Sequence, residues 1–161
     1  MPRLYANPYD TSKTGFYFED AAEYDKKEAK HSAEEFEIDF IDGSDSDQEI
    51  FEAMEVSQSV VGEYFDVADQ IDTEEEAVAF AFLMDVGLDA KDAADRVDEV
   101  QITEGTPEDY AYEYVESVGM EGLGKSTLEM YFDYEAFGRD LSLNGDITEW
   151  DRFIIGNPQE F

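Results

Sequence analysis

The chain has 161 residues, with 43 acidic and 10 basic side chains and a formal net charge of −33. This charge excludes binding to nucleic acids or anionic membranes through the protein's own surface, because both partners require clustered Lys and Arg. Hydrophobic residues make up 42% of the chain and aromatic residues 14%, which excludes a disordered acidic tail.

Residue types needed for several kinds of chemistry are missing or rare. Cysteine is absent and His31 is the only histidine, so there is no thiolate metal site and no His-rich metal site, and the sequence does not favour a His-based catalytic triad. We expect His31 to face solvent at a helix end. No apolar run approaches the ~20 residues of a membrane span, and the N-terminus lacks a signal peptide's apolar core. The expectation is a soluble cytoplasmic protein with no catalytic residue, no metal and no cofactor.

Residues 1–45 are predicted to form a small α+β module. Aromatic-rich strands are predicted over 4–6 and 16–18, followed by a helix over about 20–31. Residues 35–42 alternate as in a strand, with Phe36, Ile38 and Phe40 toward the core. The acids that this alternation turns toward solvent are Glu35, Glu37 and Asp39.

Residues 46–99 are predicted to form a central helical bundle after a turn or linker over 43–47. Apolar residues between Val60 and Ile71 follow helical spacing. Thr73 and Glu76 match a capping box at the head of an apolar helix over 77–86, which Gly87 ends. A third helix begins after Asp89. The acids opposite the apolar faces are Glu63, Asp66 and Asp69 on the first helix, and Asp92, Asp95 and Asp98 on the third.

Residues 100–161 are predicted to form a second α+β module. A short strand is expected over 100–102, and Thr106 and Pro107 then open a helix. Another helix is predicted over 126–141, and Asn144-Gly145 indicates a hairpin between strands near 146–148 and 152–155. The apolar side of the first helix is Tyr110, Ala111, Tyr114, Val115 and Val118, and its acidic row is Glu108, Glu113 and Glu116.

Two motifs match chemical sites in part. Residues 119–126 fit the phosphate-binding pattern G-x-x-x-x-G-K-[ST], but such a loop must follow a buried strand and here a helix is predicted. The competing interpretation is a Gly-rich helix–helix connection with a solvated Lys125. Asp140–Asp151 partly matches a calcium loop, although it ends in Asp rather than the longer, bidentate Glu. Whether this segment binds a cation stays open.

The distribution of charge needs its own explanation. Nineteen acids and no Lys or Arg lie between residues 31 and 90. Solubility needs a net charge of only about 2 to 8 in magnitude, and the excess opposes compaction. The three explanations are a halophile's surface, cation buffering, and a rigid array of carboxylates presented to a basic partner.

Residues 131–141 read Tyr-Phe-Asp-Tyr-Glu-Ala-Phe-Gly-Arg-Asp-Leu, which resembles the signature segment of the ArdA family of antirestriction proteins. These acidic proteins are carried on plasmids, conjugative transposons and phages. The N-terminal pattern of Leu4-Tyr5-Ala6-Asn7 and Gly15-Phe16-Tyr17-Phe18 is similar as well. The chain departs from the family at Ser12-Lys13 and Tyr17, where an extra Gly and a Trp are common. The matching signature residues are Tyr131, Asp133, Tyr134, Glu135, Gly138, Arg139, Asp140 and Leu141.

The resemblance implies an elongated, bent homodimer that imitates B-form DNA and occupies the DNA-binding groove of type I restriction–modification enzymes. It also implies a structural role for Arg139 and Asp140. The net charge is of the size that such imitation requires, because 33 charges correspond to ~56 Å of duplex DNA at one charge per ~1.7 Å. The alternative is an acidic adaptor or inhibitor of another basic protein. The residues expected to be exposed and apolar at the dimer contact are Val100, Ile102, Tyr110 and Tyr114.

Overall fold

The computed structural model describes all 161 residues, which divide into two compact units, 1–98 and 99–161. Each unit combines helices with a three-stranded antiparallel sheet, so the α+β fold class is confirmed. The boundary expected near residue 45 lies within the first unit, and the division into three modules stays a prediction. The longest helices have 12 residues, and none has the length and apolarity to cross a membrane.

The first unit builds its sheet from three strands in the order β2-β1-β3. Leu4 pairs with Phe18 on one side and Phe40 on the other, so the strands predicted from alternation are confirmed. The inward side chains Leu4, Phe18 and Phe36 are buried. The elements of this unit are β1 (Arg3–Pro8), β2 (Phe16–Phe18), α1 (Ala21–Glu28), β3 (Phe36–Asp42), α2 (Asp45–Ala53), α3 (Val61–Ala68), α4 (Glu74–Asp85) and α5 (Ala90–Asp95), followed by a 3-10 turn at Val97–Glu99.

Helix α4 is the buried centre of this unit, as its sequence predicts. Every residue from 77 to 83 is buried. The predicted capping box is present, because the Thr73 hydroxyl accepts a hydrogen bond from the Glu76 N–H (3.1 Å) and the Glu76 carboxylate accepts one from the Thr73 N–H (3.0 Å). Backbone N–H groups of Asp72 and Thr73 lower the pKa of Glu76 below its usual value.

The expectation of a turn or linker over 43–47 is wrong for its second half. Ser44 is the N-cap of α2: its hydroxyl accepts from the Asp47 N–H (3.1 Å), and Asp47 accepts from the Ser44 N–H (2.9 Å). Asp47 is buried, and the Tyr64 hydroxyl donates to its carbonyl (3.1 Å). Ser and Asp are favoured in turns and at N-caps alike, so their presence alone does not separate the two.

His31 is packed rather than turned to solvent, which corrects the expectation. Its ring is half-buried, with Nε2 2.9 Å from the Thr14 carbonyl and Nδ1 accepting from the Ala33 N–H at 3.0 Å. The ring centroid lies 5.2 Å from that of Phe36. This histidine therefore joins the loop after α1 to the N-terminal sheet.

The second unit pairs its strands in the order β4-β6-β5. Helix packing depends on one close approach, because a Cβ on Gly138 would lie 2.2 Å from the Pro107 carbonyl oxygen. Only a glycine permits the backbones of the two long helices to come this near. The elements are β4 (Ile102–Glu104), α6 (Pro107–Val118), α7 (Lys125–Tyr131), α8 (Tyr134–Asn144), β5 (Thr148–Trp150) and β6 (Phe153–Ile155), followed by a 3-10 turn at Pro158–Glu160.

Three expectations for the second unit are corrected. The single helix over 126–141 is two helices, because the chain is extended at Phe132 and Asp133 caps α8 by accepting from the Ala136 N–H (2.9 Å). Asn144-Gly145 ends α8 instead of turning a hairpin, with Gly145 left-handed at φ +76°. The hairpin turns at residues 151–152. A left-handed glycine serves a helix end as well as a hairpin, so the dipeptide alone is ambiguous.

Candidate partner-binding surface

The first acidic row lies on β3 and at the residue before it, Glu35, and alternation separates the two faces of the strand. Phe36 and Ile38 are buried on the inner face of the sheet. Glu35 and Glu37 are exposed, and Asp39 is half-buried beside Tyr5, its partner on β1. Alternate residues of a strand stand ~6.8 Å apart. The row therefore presents carboxylates at a regular spacing on a rigid sheet.

The second row lies on α3 and is held by burial of the opposite face. Val61, Tyr64 and Phe65 are buried, which turns Glu63 and Asp66 to solvent. Asp69 is exposed as the C-cap residue of the helix. Residues three apart on a helix are separated by ~4.5 Å along its axis. The spacing is of the order of the phosphate spacing in a nucleic-acid backbone.

The third row belongs to α5 and the 3-10 turn that follows. Ala90, Ala93 and Ala94 are buried, so Asp92, Asp95 and Asp98 are exposed on the other side. Asp95 has one weak contact, an amide donor from Gln70 at 3.5 Å. The predicted orientation of all three acids is confirmed.

The fourth row lies on α6 in the second unit, and one of its members differs from the others. Glu108, Glu113 and Glu116 are all exposed, as predicted. Glu116, however, forms an ion pair with Lys125 across the loop between α6 and α7. The hydrogen bond to Glu116 raises the pKa of Lys125. The lysine is paired rather than simply solvated, and the charge of Glu116 is partly compensated.

Most of these carboxylates have no partner within the protein. Of the twelve residues in the four rows, only Asp95 and Glu116 make a side-chain hydrogen bond or ion pair. The ten with none are Glu35, Glu37, Asp39, Glu63, Asp66, Asp69, Asp92, Asp98, Glu108 and Glu113. These groups are thus free to interact with cations outside the molecule.

Acids also occupy the ends of helices where they are least favourable. Seven helices, α2 to α8, have no basic residue in the last turn. The C-terminal end of a helix is partially negative, so an anion there costs about 0.3–1 kcal/mol. The sequence pattern had not indicated this feature. The acids in these last turns are Glu52, Asp66, Asp85, Asp95, Glu116 and Glu129.

The residues expected at a dimer contact are mostly covered within the protomer. Val100 is only 8% exposed, so its expected exposure is wrong. Ile102 and Tyr110 are half-buried, and Tyr114 alone is exposed at 45%. Val118, expected on the apolar side of α6, is 65% exposed. Much larger exposure occurs in α7 and α8, at Met130, Tyr131 and Leu143.

The signature residues divide into structural and exposed ones. Asp133 and Gly138 shape α8 through its N-cap and its close approach to Pro107. The expected structural role of Arg139 and Asp140 stays a prediction: both are exposed, and neither side chain makes a hydrogen bond or ion pair within the protomer. The other members lie around α8: Tyr131 and Glu135 are exposed, while Tyr134 and Leu141 are half-buried.

Neither of the two chemical motifs has the geometry that its chemistry requires. The Gly-rich segment over 119–126 follows helix α6, whereas a phosphate-binding loop follows a strand. It connects α6 to α7, as the competing interpretation predicted. Asp140, Ser142 and Asn144 lie in helix α8 and so cannot wrap around a calcium ion as a loop does.

The comparisons with known proteins point to one family. A family model described as antirestriction protein (ArdA) matches residues 7–154. The match therefore covers both units and includes all four acidic rows. Comparison with curated proteins and with solved structures found no match.

Proposed function

Because this chain belongs to the ArdA family of antirestriction proteins, we propose that it inhibits type I restriction–modification enzymes by imitating DNA. The family consists of inhibitors rather than enzymes. In this proposal the four acidic rows stand in for phosphates, and the protein occupies the groove where the enzyme would bind duplex DNA. Inhibition then requires occupancy alone, with no catalytic residue, metal or cofactor.

The observation that supports the proposal best is the set of ten carboxylates without partners, nine of them exposed. Such groups repel each other, and two of them, Asp66 and Asp69, lie at the C-terminal end of α3, where the macrodipole opposes them. Stability alone does not account for acids in these places. A basic groove in the partner enzyme accounts for these acids, because it compensates their charge when the complex forms.

Binding in this manner follows the physics of DNA itself. A polyanion that enters a cationic groove releases condensed counterions, so affinity falls as salt concentration rises. The rows offer no base edges, which removes the means of reading sequence. An inhibitor of this kind acts on enzymes with different recognition sequences, and it has no need to bind nucleic acid.

Neutralising one whole row tests the proposal. The variant Glu63→Gln/Asp66→Asn/Asp69→Asn removes three unpaired charges from α3 and is expected to weaken inhibition of DNA cleavage clearly. The control Asp25→Asn/Glu55→Gln/Glu121→Gln removes three exposed charges outside the rows. Each single change should have little effect, because exposed ionic contacts contribute ~1 kcal/mol or less. Equal inhibition by both triple variants contradicts the assignment of the rows.

The proposal includes a homodimer formed through the second unit. Seven of the twelve exposed large hydrophobic side chains belong to residues 99–161. Among them are Met130, Tyr131 and Leu143, exposed at 72%, 80% and 77%. Sedimentation velocity is expected to give a dimer for the wild type and a monomer for Tyr131→Asp/Leu143→Asp. A wild-type protein that is monomeric at micromolar concentration contradicts this part of the proposal.

A further inference from the structure

The outer face of the N-terminal sheet is not purely acidic. Cross-strand partners share a face, and Tyr5 on β1 pairs with Tyr17 on β2 and with Asp39 on β3. Glu37 faces the same way, opposite Asn7. Tyr5 thus lies beside Asp39 of the first acidic row, and Tyr17 lies on the other side of Tyr5. An array of charges alone would not need these rings.

The two rings form an ordered pair. Their centroids are 4.7 Å apart with planes tilted by 53°. Tyr5 lies against the bare backbone of Gly15, where a Cβ would come within 2.7 Å of its Cζ and Oη atoms. Tyr5 is half-buried, while Tyr17 is 47% exposed. Gly15 therefore makes room for the Tyr5 ring, and Tyr5 packs beside Tyr17 while the Tyr17 ring stays accessible.

The protein already places one guanidinium on this ring. The Arg3 Cζ lies 4.5 Å from the centroid of Tyr17, and its Nε is 3.8 Å from the Glu19 carboxylate. Both charged side chains are about half exposed, at 49% and 59%. A ring face beside a carboxylate suits a planar guanidinium, which stacks and donates at once, better than it suits an ammonium.

We propose that Tyr17, with the nearby Glu19 carboxylate, is an arginine-docking site, and that an arginine of the partner replaces Arg3 on the ring. This inference rests on the proposed function, since it names one side-chain type that the inhibited enzyme supplies. Arg3 occupies the site in the free protein through an exposed, weak pair. The acidic surroundings favour a cationic occupant, and the ring selects arginine over lysine. The stacking contact adds an attraction that salt screens less than it screens the rows.

A direct test uses hexa-arginine and hexa-lysine peptides as probes of the full-length protein at ~0.3 M NaCl, where long-range attraction is screened. Hexa-arginine is expected to bind more tightly than hexa-lysine and to shift the Tyr17 ring resonances in NMR spectra. Tyr17→Leu should reduce hexa-arginine affinity about two- to fivefold, whereas Tyr17→Phe keeps the ring and the affinity. Equal affinities for both peptides, with no response at Tyr17, overturn the proposal.

A pair of matched charge variants tests the exchange with Arg3. Arg3→Ala and Lys26→Ala each remove one exposed cation from the first unit, and Lys26 has no partner. Only Arg3→Ala frees the Tyr17 ring, so it should bind hexa-arginine about twofold more tightly than Lys26→Ala does. Equal binding by the two variants overturns the proposed replacement of Arg3 by a partner arginine. This test does not depend on whether Tyr17→Leu folds.

The same variants separate this inference from the proposed function in a DNA-cleavage assay. If Tyr17→Leu inhibits as well as the wild type while neutralisation of the α3 row weakens inhibition, the arginine site is wrong and the DNA mimic stands. If neither change affects inhibition, both are wrong. The expected result is a loss in both variants, with the Tyr17→Leu defect persisting as salt concentration rises.

Discussion

The two units carry nearly the same density of charge but differ in the balance between buried and exposed hydrophobic residues. Residues 1–98 have 28 acids and seven bases, and residues 99–161 have 15 acids and three bases, which is about one net negative charge per five residues in each. The first unit buries 24 hydrophobic residues and leaves five large ones exposed. The second buries eight and leaves seven exposed.

The difference in exposed hydrophobic side chains indicates two separate roles, which the similar charge densities of the two units do not reveal. Uniform charge density is what a molecule needs if its whole length faces a cationic groove. Uncovered apolar side chains within one unit are typical of a surface that meets another protein. The comparison thus favours charge for binding the enzyme and the apolar surface of the second unit for self-association.

The largest expected effect tests the smaller core of the second unit. In Gly138→Ala the new Cβ meets the Pro107 carbonyl at 2.2 Å, which forces α6 and α8 apart. We expect a loss of about 3 kcal/mol in the free energy of unfolding, near the upper range for overpacking. Chemical denaturation measures it. The control is Gly62→Ala on α3 in the first unit, where nothing lies within 4 Å; it should be neutral or stabilising by about 0.5–1 kcal/mol.

Self-repulsion should act on both units, because their charge densities match. Raising NaCl from about 50 mM to about 500 mM shortens the Debye length well below the size of either unit. The melting temperature should rise by about 2–4 °C for each kcal/mol of repulsion removed. Over the same range, inhibition of the restriction enzyme should weaken. A melting temperature indifferent to salt contradicts the claim that the carboxylates are uncompensated.

A pair of substitutions on α3 separates charge from helix-end effects. Glu63 lies in the first turn and Asp66 in the last. Removing the charge at Asp66→Asn should stabilise the first unit by about 0.3–1 kcal/mol, whereas Glu63→Gln should destabilise it by a similar amount. Their effects on inhibition should be equally small. If Asp66→Asn destabilises the protein in thermal unfolding, the argument from helix ends is wrong.

The smallest effect is a pH-dependent one at the cap of α4. The depressed pKa of Glu76 means that its contribution to folding is present above its ordinary value of 4.5 and is lost as pH falls through the lower folded value. Glu76→Gln should cost about 0.5 kcal/mol at neutral pH and nothing in strong acid. Denaturation at several pH values measures the difference. A cost that persists unchanged at acidic pH would show that the charge of Glu76 is irrelevant.

Local signals explain which elements were predictable from sequence. Helix α4 has a capping box and a run of apolar residues, and β3 alternates strictly, so both are predicted correctly. Helix α2 starts inside a run of Gly, Ser and Asp whose composition fits a linker equally well. The break between α7 and α8 depends on the extended backbone at Phe132, and its one local signal is Asp133, the N-cap of α8, a residue type that occurs within helices as well.

The candidate surface shows the same limit. Burial of the opposite helix face orients each acidic row, so exposure follows from periodicity. Ion pairing does not follow from periodicity, because Lys125 contacts Glu116 across a loop whose conformation the sequence does not indicate. Nor does periodicity reveal that a glycine at position 15 makes room for Tyr5. Contacts between segments that are distant in sequence depend on the tertiary structure, so the sequence pattern does not predict them.

Competition with DNA tests the central claim most directly. A fluorescent duplex bound to a purified type I restriction–modification enzyme is titrated with this protein, and anisotropy reports the bound DNA. The account predicts complete displacement, with a midpoint that rises in proportion to DNA concentration, as two ligands of one groove require. A complex that holds the duplex and this protein together, with anisotropy undiminished at saturation, would contradict it.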